Sequence, residues 1–284
     1  MMAMVKEKPD LSLGEFQLFR VFIEQECGIV LADDKSYLLE SRIRHLLDTY
    51  QCQHYGELYR KLSAGTVPDL KNQLIDSITT NETLWFRDQG PFVIMDEIFL
   101  PKVESLVAAG KPKIRIWCAA TSTGQEPYSL AMVINDYCTR KAGVLNPYHF
   151  EILATDISKK ALSAARLGVY DQHAMNRGLP PEYREKYFKE SNERWVIDPS
   201  LKKMINFQEF NLQDDFTHKG PFDAIFCRNV AIYFSPEFKL NMFQNMYKTL
   251  SRGGLFFLGT SETLAYFKTD FQSLEHKNHT YYVS

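Results

Sequence analysis

The chain has 284 residues, a length that predicts two unequal domains more naturally than a single large one. Its hydrophobic fraction of 45% is enough for a packed core, so the composition excludes a disordered chain. The formal net charge of −2 provides no general attraction to nucleic acid or to an anionic membrane. The five cysteines are scattered and form no C-x-x-C pair, which argues against a disulfide framework and against a zinc site.

The start of the chain, MMAMVKEKPD, lacks the apolar core of a signal peptide. No uncharged run approaches the ~18 residues that a membrane-spanning helix needs. We therefore expect a soluble protein of the cytoplasm that does not insert into a membrane. Nothing in the chain demands more than a monomer.

Residues 11 to about 85 are predicted to be all-helical, because apolar residues recur at helical spacing and no strand pattern is present. The pattern predicts four helices, the second of which spans residues 37–50. The basic residues Lys35, Arg42 and Arg44 lie in or just before that second helix. They could form a docking surface for an acidic partner. From these residues alone, a solvated helix face is the simpler explanation.

Residues 79–91, TTNETLWFRDQGP, form what we call the hinge segment. Its short hydrogen-bonding side chains disfavour a continuous helix. Two adjacent aromatic residues, Trp85 and Phe86, and the following Arg87 are unusual in a segment that only connects two domains. The segment could close over a ligand pocket, or it could be a packed joint between domains.

The next motif predicts a strand, a turn of small residues and a helix. Residues 114–118 are a β-branched and aromatic run, residues 119–124 are small, and Pro127 favours the start of a helix. In open α/β sheets a ligand sits over such a turn. The turn has one glycine and no following lysine, so it is neither a dinucleotide motif nor a P-loop. Glu126 would repel a phosphate but could attract a cation, which favours a nucleoside with a positively charged group. The alternative is an ordinary turn.

Two further strand ends are predicted to carry polar side chains to the same edge of the sheet. Residues 148–155 form a strand that ends at Asp156, which could accept hydrogen bonds from ribose hydroxyls or could cap the helix that follows. Residues 222–227 form a buried strand followed by Arg228 and Asn229.

Two short strand-like runs, residues 194–197 and 203–207, interrupt the α/β pattern and predict an antiparallel insertion at about residues 187–207. Such an insertion could contact a macromolecular substrate, or it could be surface decoration. Additional strands are predicted at residues 255–258 and 280–283.

Six segments give the chain a specific resemblance to the chemotaxis receptor methyltransferases, the CheR family of class I S-adenosylmethionine-dependent methyltransferases. In chain order they are TTNETLWFR, WCAATSTGQEPYSLA, ATDIS, FNLQD, FCRNVAIYF and GGLFFLGTSE. The chain carries Trp85 where the family usually has Phe, and Ala231 where Met is common. Neither departure removes a hydrogen-bonding group. The resemblance covers nearly the whole chain.

The resemblance implies a doubly wound, Rossmann-like, mostly parallel seven-stranded sheet with a small antiparallel insertion, preceded by an all-α N-terminal domain. Residues 1–85 would be the helical receptor-docking domain and residues 86–284 the methyltransferase domain. The implied reaction transfers a methyl group from S-adenosylmethionine to glutamate side chains on the cytoplasmic helices of membrane chemoreceptors. Its products would be γ-methyl esters and S-adenosylhomocysteine. Recruitment to receptor arrays at the membrane is a further expectation.

The resemblance also implies roles for individual residues. Glu126 would lie beside the methionine amino group, Asp156 would bind the ribose hydroxyls, and Arg87 would lie near the cofactor carboxylate and the reaction site. Tyr233 would lie near the transferred methyl group. The implied cofactor contacts come from Asn81, Thr83, Arg87, Glu126, Asp156, Asn211, Leu212, Arg228, Asn229 and Val230.

The implied chemistry explains why the sequence offers no metal site and no catalytic base. A glutamate carboxylate has a pKa near ~4.3, so at neutral pH it is already a nucleophile. Arg87 and Tyr233 would therefore orient the carboxylate and would not transfer protons. A docking surface formed by Lys35, Arg42 and Arg44 becomes the better explanation, because methylated receptor helices are rich in glutamate.

Two other classes of function remain open. A methyltransferase could act on RNA or on a small molecule, but the near-neutral charge argues against RNA and the helical domain argues against a small substrate. The chain could also be a non-catalytic module that binds the cofactor for signalling. The presence of both Arg87 and Tyr233 argues against such a module.

Overall fold

The computed structural model describes residues 9–141 and 143–284. They divide into two compact units. One ends at Thr80 and also includes Tyr233–Ser235, and the other comprises Asn81–Ile232 and Pro236–Ser284. The expected division into residues 1–85 and 86–284 places the boundary slightly later, and residues 1–8 of the first range lie outside the described residues. In the described part of the chain, no helix is both long and apolar enough to cross a membrane.

The first unit is helical, as the apolar spacing predicts. Its helices are α1 (Leu13–Cys27), α2 (Ser36–Thr49), α3 (Tyr55–Ser63) and α4 (Leu70–Ile78). Ser12 caps α1 in a capping box with Glu15, and Gly28 ends the helix in a left-handed conformation with φ 74°. Phe16 and Phe19 of α1 are completely buried, so the apolar face of this helix supplies much of the unit's core.

The second unit contains ten strands and eight α-helices in its described residues. The strands are β1 (Ile114–Ala119), β2 (Phe150–Asp156), β3 (Val169–Tyr170), β4 (Phe188–Ser191), β5 (Arg194–Ile197), β6 (Ile205–Glu209), β7 (Phe222–Cys227), β8 (Leu250–Phe257), β9 (Gln272–His276) and β10 (His279–Val283). The helices are α5 (Gly90–Ile94), α6 (Leu100–Ala108), α7 (Gln125–Arg140), α8 (Lys159–Leu167), α9 (Gln172–Met175), α10 (Pro181–Tyr187), α11 (Pro199–Lys202) and α12 (Pro236–Thr249). A π-helical turn, Met95–Phe99, joins α5 to α6.

Seven strands form the main sheet, in the order β6-β2-β1-β7-β8-β10-β9. The first five are parallel, whereas β10 pairs antiparallel with both β8 and β9. The expected mostly parallel seven-stranded sheet is thus confirmed. The chain runs outward from β1 to β2 and β6, then returns to the other side of β1 as β7. This reversal makes the β1–β7 boundary the topological switch point, where ligands bind in open α/β sheets.

The two strands at the switch point are buried because they lie in the middle of a parallel sheet. Every residue of β7 is buried, and β1 has a single half-buried residue. Trp117 of β1 has no exposed surface, and its ring stacks on Phe222 with centroids 5.5 Å apart. Its indole N–H donates to Thr155 Oγ1 at 2.9 Å, so the only polar atom of this side chain is satisfied.

The antiparallel insertion differs from its prediction in one strand. The small sheet has the order β3-β5-β4, and its hairpin turns at Asn192 and Glu193, which have φ of 50° and 58°. Positive φ at both central residues is typical of a tight hairpin turn. The run predicted at residues 203–207 instead lies in β6, which pairs parallel with β2 at the edge of the main sheet. The short helix α11 separates this run from β5, so the two cannot form a tight hairpin.

Candidate functional site

The carboxyl ends of three neighbouring strands define the site. Ala119 of β1 is in register with Thr155 of β2 on one side and with Cys227 of β7 on the other. Asp156 and Arg228 come directly after these two partners in the chain, so both lie at the same edge of the sheet as the turn after β1. The three strand ends at which the sequence places polar residues are therefore adjacent.

The turn after β1 is tight and needs small side chains. Ala120, Ser122 and Gly124 all have positive φ, of 63°, 51° and 96°. A Cβ atom on Gly124 would come within 3.0 Å of the Cβ of Ala165 on α8, so glycine is needed here for both its conformation and its size. Positive φ at two non-glycine residues indicates a backbone that is held in place by its surroundings.

Asp156 provides much of that support. Its Oδ2 accepts a hydrogen bond from the backbone N–H of Ser122 at 2.7 Å, and its Oδ1 accepts one from the N–H of Ser158 at 2.9 Å. The helix cap that the sequence offered as an alternative role belongs to Ser158, whose hydroxyl accepts from Ala161 N–H at 3.0 Å. Asp156 is therefore not the cap of α8, and its carboxylate fixes the turn after β1.

Arg228 is the buried centre of the ion pairs at this edge. Its side chain is only 2% exposed. One nitrogen, Nη1, donates to Glu126 Oε2 at 2.7 Å, while Nη2 donates to Asp88 Oδ2 at 2.8 Å and to the backbone carbonyl of Arg87 at 2.5 Å. A single guanidinium thereby joins the end of β7 to the start of α7 and to the hinge segment.

Glu126 lies in an environment that disfavours its charge. Burial raises the pKa of its carboxyl above the ordinary value of 4.5, although Arg228 and, to a smaller extent, Arg87 oppose the increase. The thiol of Cys118 also hydrogen-bonds this carboxyl, and burial raises the pKa of that thiol well above its usual range. A poorly solvated carboxylate of this kind would be stabilised by a further cation.

From Asn81 onward, the hinge segment belongs to the second unit and packs within it. The carbonyl of Asn81 accepts a hydrogen bond from Ser122 Oγ at 2.9 Å. Trp85 is completely buried, with its ring 4.9 Å from that of Tyr170 on β3 and 5.3 Å from that of Phe188 on β4. Trp85 is therefore a core residue of the second unit, and the half-buried Arg87 follows it in the chain.

Several other predicted residues also reach this edge. Phe210 N–H donates to the carbonyl of Asp156 at 3.0 Å, so Asn211 and the buried Leu212 follow close to Asp156. Asn229 has a left-handed φ of 58°. The structure thus gathers the hinge segment and the four strand ends that carry the predicted cofactor contacts. Thr83 and Val230, in the hinge segment and after β7, are half-buried.

Tyr233 and the basic residues belong to the helical unit. The carbonyl of Tyr233 accepts a hydrogen bond from Val30 N–H at 2.9 Å. Arg42 donates to the carbonyl of Ile78 at the end of α4, and to Thr80 Oγ1 at 2.9 Å. Its side chain therefore also braces two helices.

The other two predicted docking residues have carboxylate neighbours. Arg44 pairs with Glu40 on the same helix and lies 3.6 Å from Asp10, while Lys35 Nζ is 3.4 Å from Asp34. These pairs are partly exposed, so their contribution to stability is small.

Asp88 is a site residue that the sequence reasoning missed. Besides pairing with Arg228, its Oδ2 lies 3.4 Å from the backbone nitrogen of Thr260, after β8. No local pattern marks it, because its partner Arg228 is 140 residues away in the chain.

Among residues 9–141 and 143–284, no group of three or more His, Cys, Asp and Glu side chains could hold a metal ion. All five cysteines are buried and free.

The fold and the site define a class, because two carboxylates at the switch point of a mostly parallel sheet suit a cationic nucleoside better than a phosphate. Residues 81–280 match the family model described as CheR methyltransferase, SAM binding domain, and residues 14–79 match CheR methyltransferase, all-alpha domain. The chain therefore belongs to the CheR methyltransferase family, and its cofactor is S-adenosylmethionine. The resemblance seen in the sequence is confirmed.

Curated relatives agree with this assignment. The chain is 43% identical to chemotaxis protein methyltransferase 1 of Pseudomonas aeruginosa over 252 residues, which cover 88% of this chain and 90% of that protein. It is 44% identical to the chemotaxis protein methyltransferase of Vibrio parahaemolyticus over 255 residues, which cover 89% of this chain and 90% of that protein. A chemotaxis protein methyltransferase of Listeria monocytogenes is 34% identical over 256 residues, which cover 90% of this chain and 92% of that protein.

Replacing Arg228 by methionine should destabilise the second unit by about 3–5 kcal/mol, because Glu126 and Asp88, whose side chains are only 13% and 18% exposed, would lose their shared cation. Denaturant unfolding measures the change. The matched control is Arg194→Met, which breaks an exposed pair with Asp171 at 3.8 Å and should cost less than about 1 kcal/mol. Equal losses in the two variants would contradict the central role of Arg228.

Proposed function

We propose that this protein transfers a methyl group from S-adenosylmethionine to glutamate side chains of chemoreceptors, giving glutamate γ-methyl esters and S-adenosylhomocysteine. The observation that carries the proposal is the pair of carboxylates on the two sides of the turn after β1: the buried Asp156 and Glu126, whose side chain is only 13% exposed. Membership of the CheR family supports the choice of substrate.

The side chains at the site fit the chemical groups of the cofactor. A carboxylate at the position of Asp156 suits ribose hydroxyls, and the poorly solvated carboxylate of Glu126 suits the ammonium of the methionine part. Neither suits a phosphate, which agrees with the absence of a glycine-rich phosphate motif in the sequence. Asn211 and Leu212 would flank the adenine. The remaining contacts would come from Asn81, Thr83, Arg87, Arg228, Asn229 and Val230.

The reaction needs little proton chemistry from the protein. When bound, S-adenosylmethionine supplies an electrophilic methyl group on a positively charged sulfur. The incoming glutamate carboxylate, with a pKa near ~4.3, is ionised at neutral pH and needs no general base. Arg87 and Tyr233 would hold this carboxylate in line with the carbon–sulfur bond and exclude water. Too strong an ion pair with Arg87 would stabilise the ground state, so its role is orientation.

The helical unit would supply the receptor contact. Lys35, Arg42 and Arg44 would face the glutamate-rich cytoplasmic helices of a receptor, and complementary charge would increase the association rate. The protein would act as a monomer in the cytoplasm, with recruitment to receptor arrays at the membrane.

The first experiment measures binding of S-adenosylhomocysteine by calorimetry. The native protein should bind, and Asp156→Ala should weaken binding at least about tenfold, because the ribose acceptor and the support for Ser122 are both lost. Asp270→Ala, at an exposed position of the same unit, is the control. Absence of binding by the native protein would refute the proposed function.

Transfer of labelled methyl groups from S-adenosylmethionine to receptor-containing membranes tests the substrate. The label should appear in base-labile esters, and RNA is the competing acceptor.

Binding of S-adenosylhomocysteine should depend on the charge of Glu126. Because its pKa is raised above 4.5, Glu126 takes up a proton at a higher pH than an ordinary glutamate. Affinity should therefore fall as the pH is lowered from neutrality towards that raised pKa, while the ligand ammonium stays charged.

The variant Glu126→Gln keeps a hydrogen-bonding group beside Arg228 but cannot titrate. It should bind more weakly at neutral pH and lose the acid-side decrease, as measured by calorimetry at several pH values. Glu275→Gln, on the exposed surface of β9, should retain the native profile. An unchanged acid-side decrease in Glu126→Gln would assign the titration to another group.

Charge reversal on the helical unit tests receptor docking. The double variant Lys35→Glu/Arg44→Glu should lower the kcat/KM for receptor methylation by roughly tenfold at low salt, with less effect at high salt. Arg42 is left intact because it also braces α4. Arg60→Glu, on the exposed side of α3, is the control. Unchanged binding of S-adenosylhomocysteine would show that the cofactor site of the double variant is intact. Equal receptor methylation by the native protein and the double variant would refute docking through these residues.

A further inference from the structure

The loop after β8 contributes a further carboxylate to the edge of the sheet that carries the site. β8 is the neighbour of β7. Glu262, in this loop, accepts two hydrogen bonds on a single oxygen, Oε2: one from the backbone N–H of Asn229 at 2.6 Å and one from that of Gly259 at 2.8 Å. The carboxylate thus connects the loop after β7 to the loop after β8.

The bond to Asn229 holds an unusual backbone conformation. Asn229 has φ 58°, in the left-handed region, which asparagine adopts more readily than most residues but which is still less favourable than right-handed backbone. A hydrogen bond from a backbone N–H to a carboxylate is about twice as strong as one between neutral groups. Glu262 is therefore suited to hold Asn229 in this conformation, which sets the direction of its side chain and of the following Val230.

Gly259 completes the arrangement from the other side. A Cβ atom at this position would lie 2.5 Å from Asn229 Nδ2 and 2.9 Å from Glu262 Oε2. The glycine backbone therefore packs directly against the side-chain amide of Asn229, leaving it no room to turn in this direction. Both the backbone and the side chain of Asn229 are fixed by the loop after β8.

The same loop also reaches the hinge segment, because the nitrogen of Thr260 lies 3.4 Å from Asp88 Oδ2. Glu262 thus belongs to the chain of contacts that includes Arg228, yet it touches none of the ion-paired groups. Its second oxygen, Oε1, is buried and has no hydrogen-bond partner among the described residues. The two bonds through Oε2 are the polar contacts on which its position depends.

We propose that Glu262 is a positioning residue for the cofactor site, acting through the backbone of Asn229 to present Asn229 and Val230 to S-adenosylmethionine. This role rests on the proposed assignment of those two residues to the cofactor. Glu262 itself does not contact the cofactor in this role.

Calorimetry with S-adenosylhomocysteine tests the role with three variants. Glu262→Ala should weaken binding about tenfold or more, because both hydrogen bonds are lost. Glu262→Gln should bind within about threefold of the native protein, because one amide oxygen can accept both N–H groups. Glu275→Ala, at an exposed glutamate on β9, should bind like the native protein. Thermal unfolding identifies the temperature range in which every variant is folded, and binding is compared there.

A second measurement follows Asn229 directly, without cofactor. In protein labelled with ¹⁵N-asparagine, the amide proton of Asn229 should exchange slowly in the native protein and in Glu262→Gln, and quickly in Glu262→Ala. A residue with only a structural role would lower the melting temperature without this selective change at Asn229.

The outcomes separate the two proposals. If the native protein binds and folded Glu262→Ala binds equally well, or if exchange at Asn229 is unchanged, the positioning role is wrong and the proposed function stands. If the native protein does not bind S-adenosylhomocysteine, the proposed function is wrong and the positioning role fails with it.

Discussion

The ion pairs of Arg228 are the interaction on which the candidate site depends. A guanidinium that is almost completely buried would be very costly without compensation, and here two carboxylates and a backbone carbonyl provide it. These partners come from the hinge segment and from α7, which are distant in the chain. The fold brings them together only when β7 has taken its place beside β1, so the hinge segment, the helix start and the strand end acquire their positions together.

Much of the fold could be predicted because its signals are local. The apolar spacing in residues 11–85 predicts the four helices of the first unit, and the run of β7, which is apolar except for Asp223, predicts a buried parallel strand. The assignment of residues 203–207 failed for a non-local reason. Those residues have the same strand signal whether they pair with β5 or with β2, and only the intervening helix α11 and the free edge of β2 decide between the two.

The candidate site likewise combines residues that local sequence signals identify with residues that they do not. Glu126 and Asp156 could be chosen from the sequence because each follows a strand signal directly, at a place where α/β proteins bind ligands. Asp88 and Glu262 could not be chosen in that way, because their importance comes from partners 140 and 33 residues away. The docking residues are an intermediate case: the sequence shows their charge, but only the structure shows that Arg42 also holds the end of α4.

The burial of Trp85 has a consequence for how the cofactor could enter and leave. The ring is enclosed between Tyr170 and Phe188, and withdrawing a buried aromatic side chain of this size costs several kcal/mol, roughly 3–5. The hinge segment is therefore anchored at Trp85 and is not a freely swinging lid. Because Asp88 is held in turn by Arg228, exchange of cofactor and product should leave the segment between Trp85 and Asp88 in place.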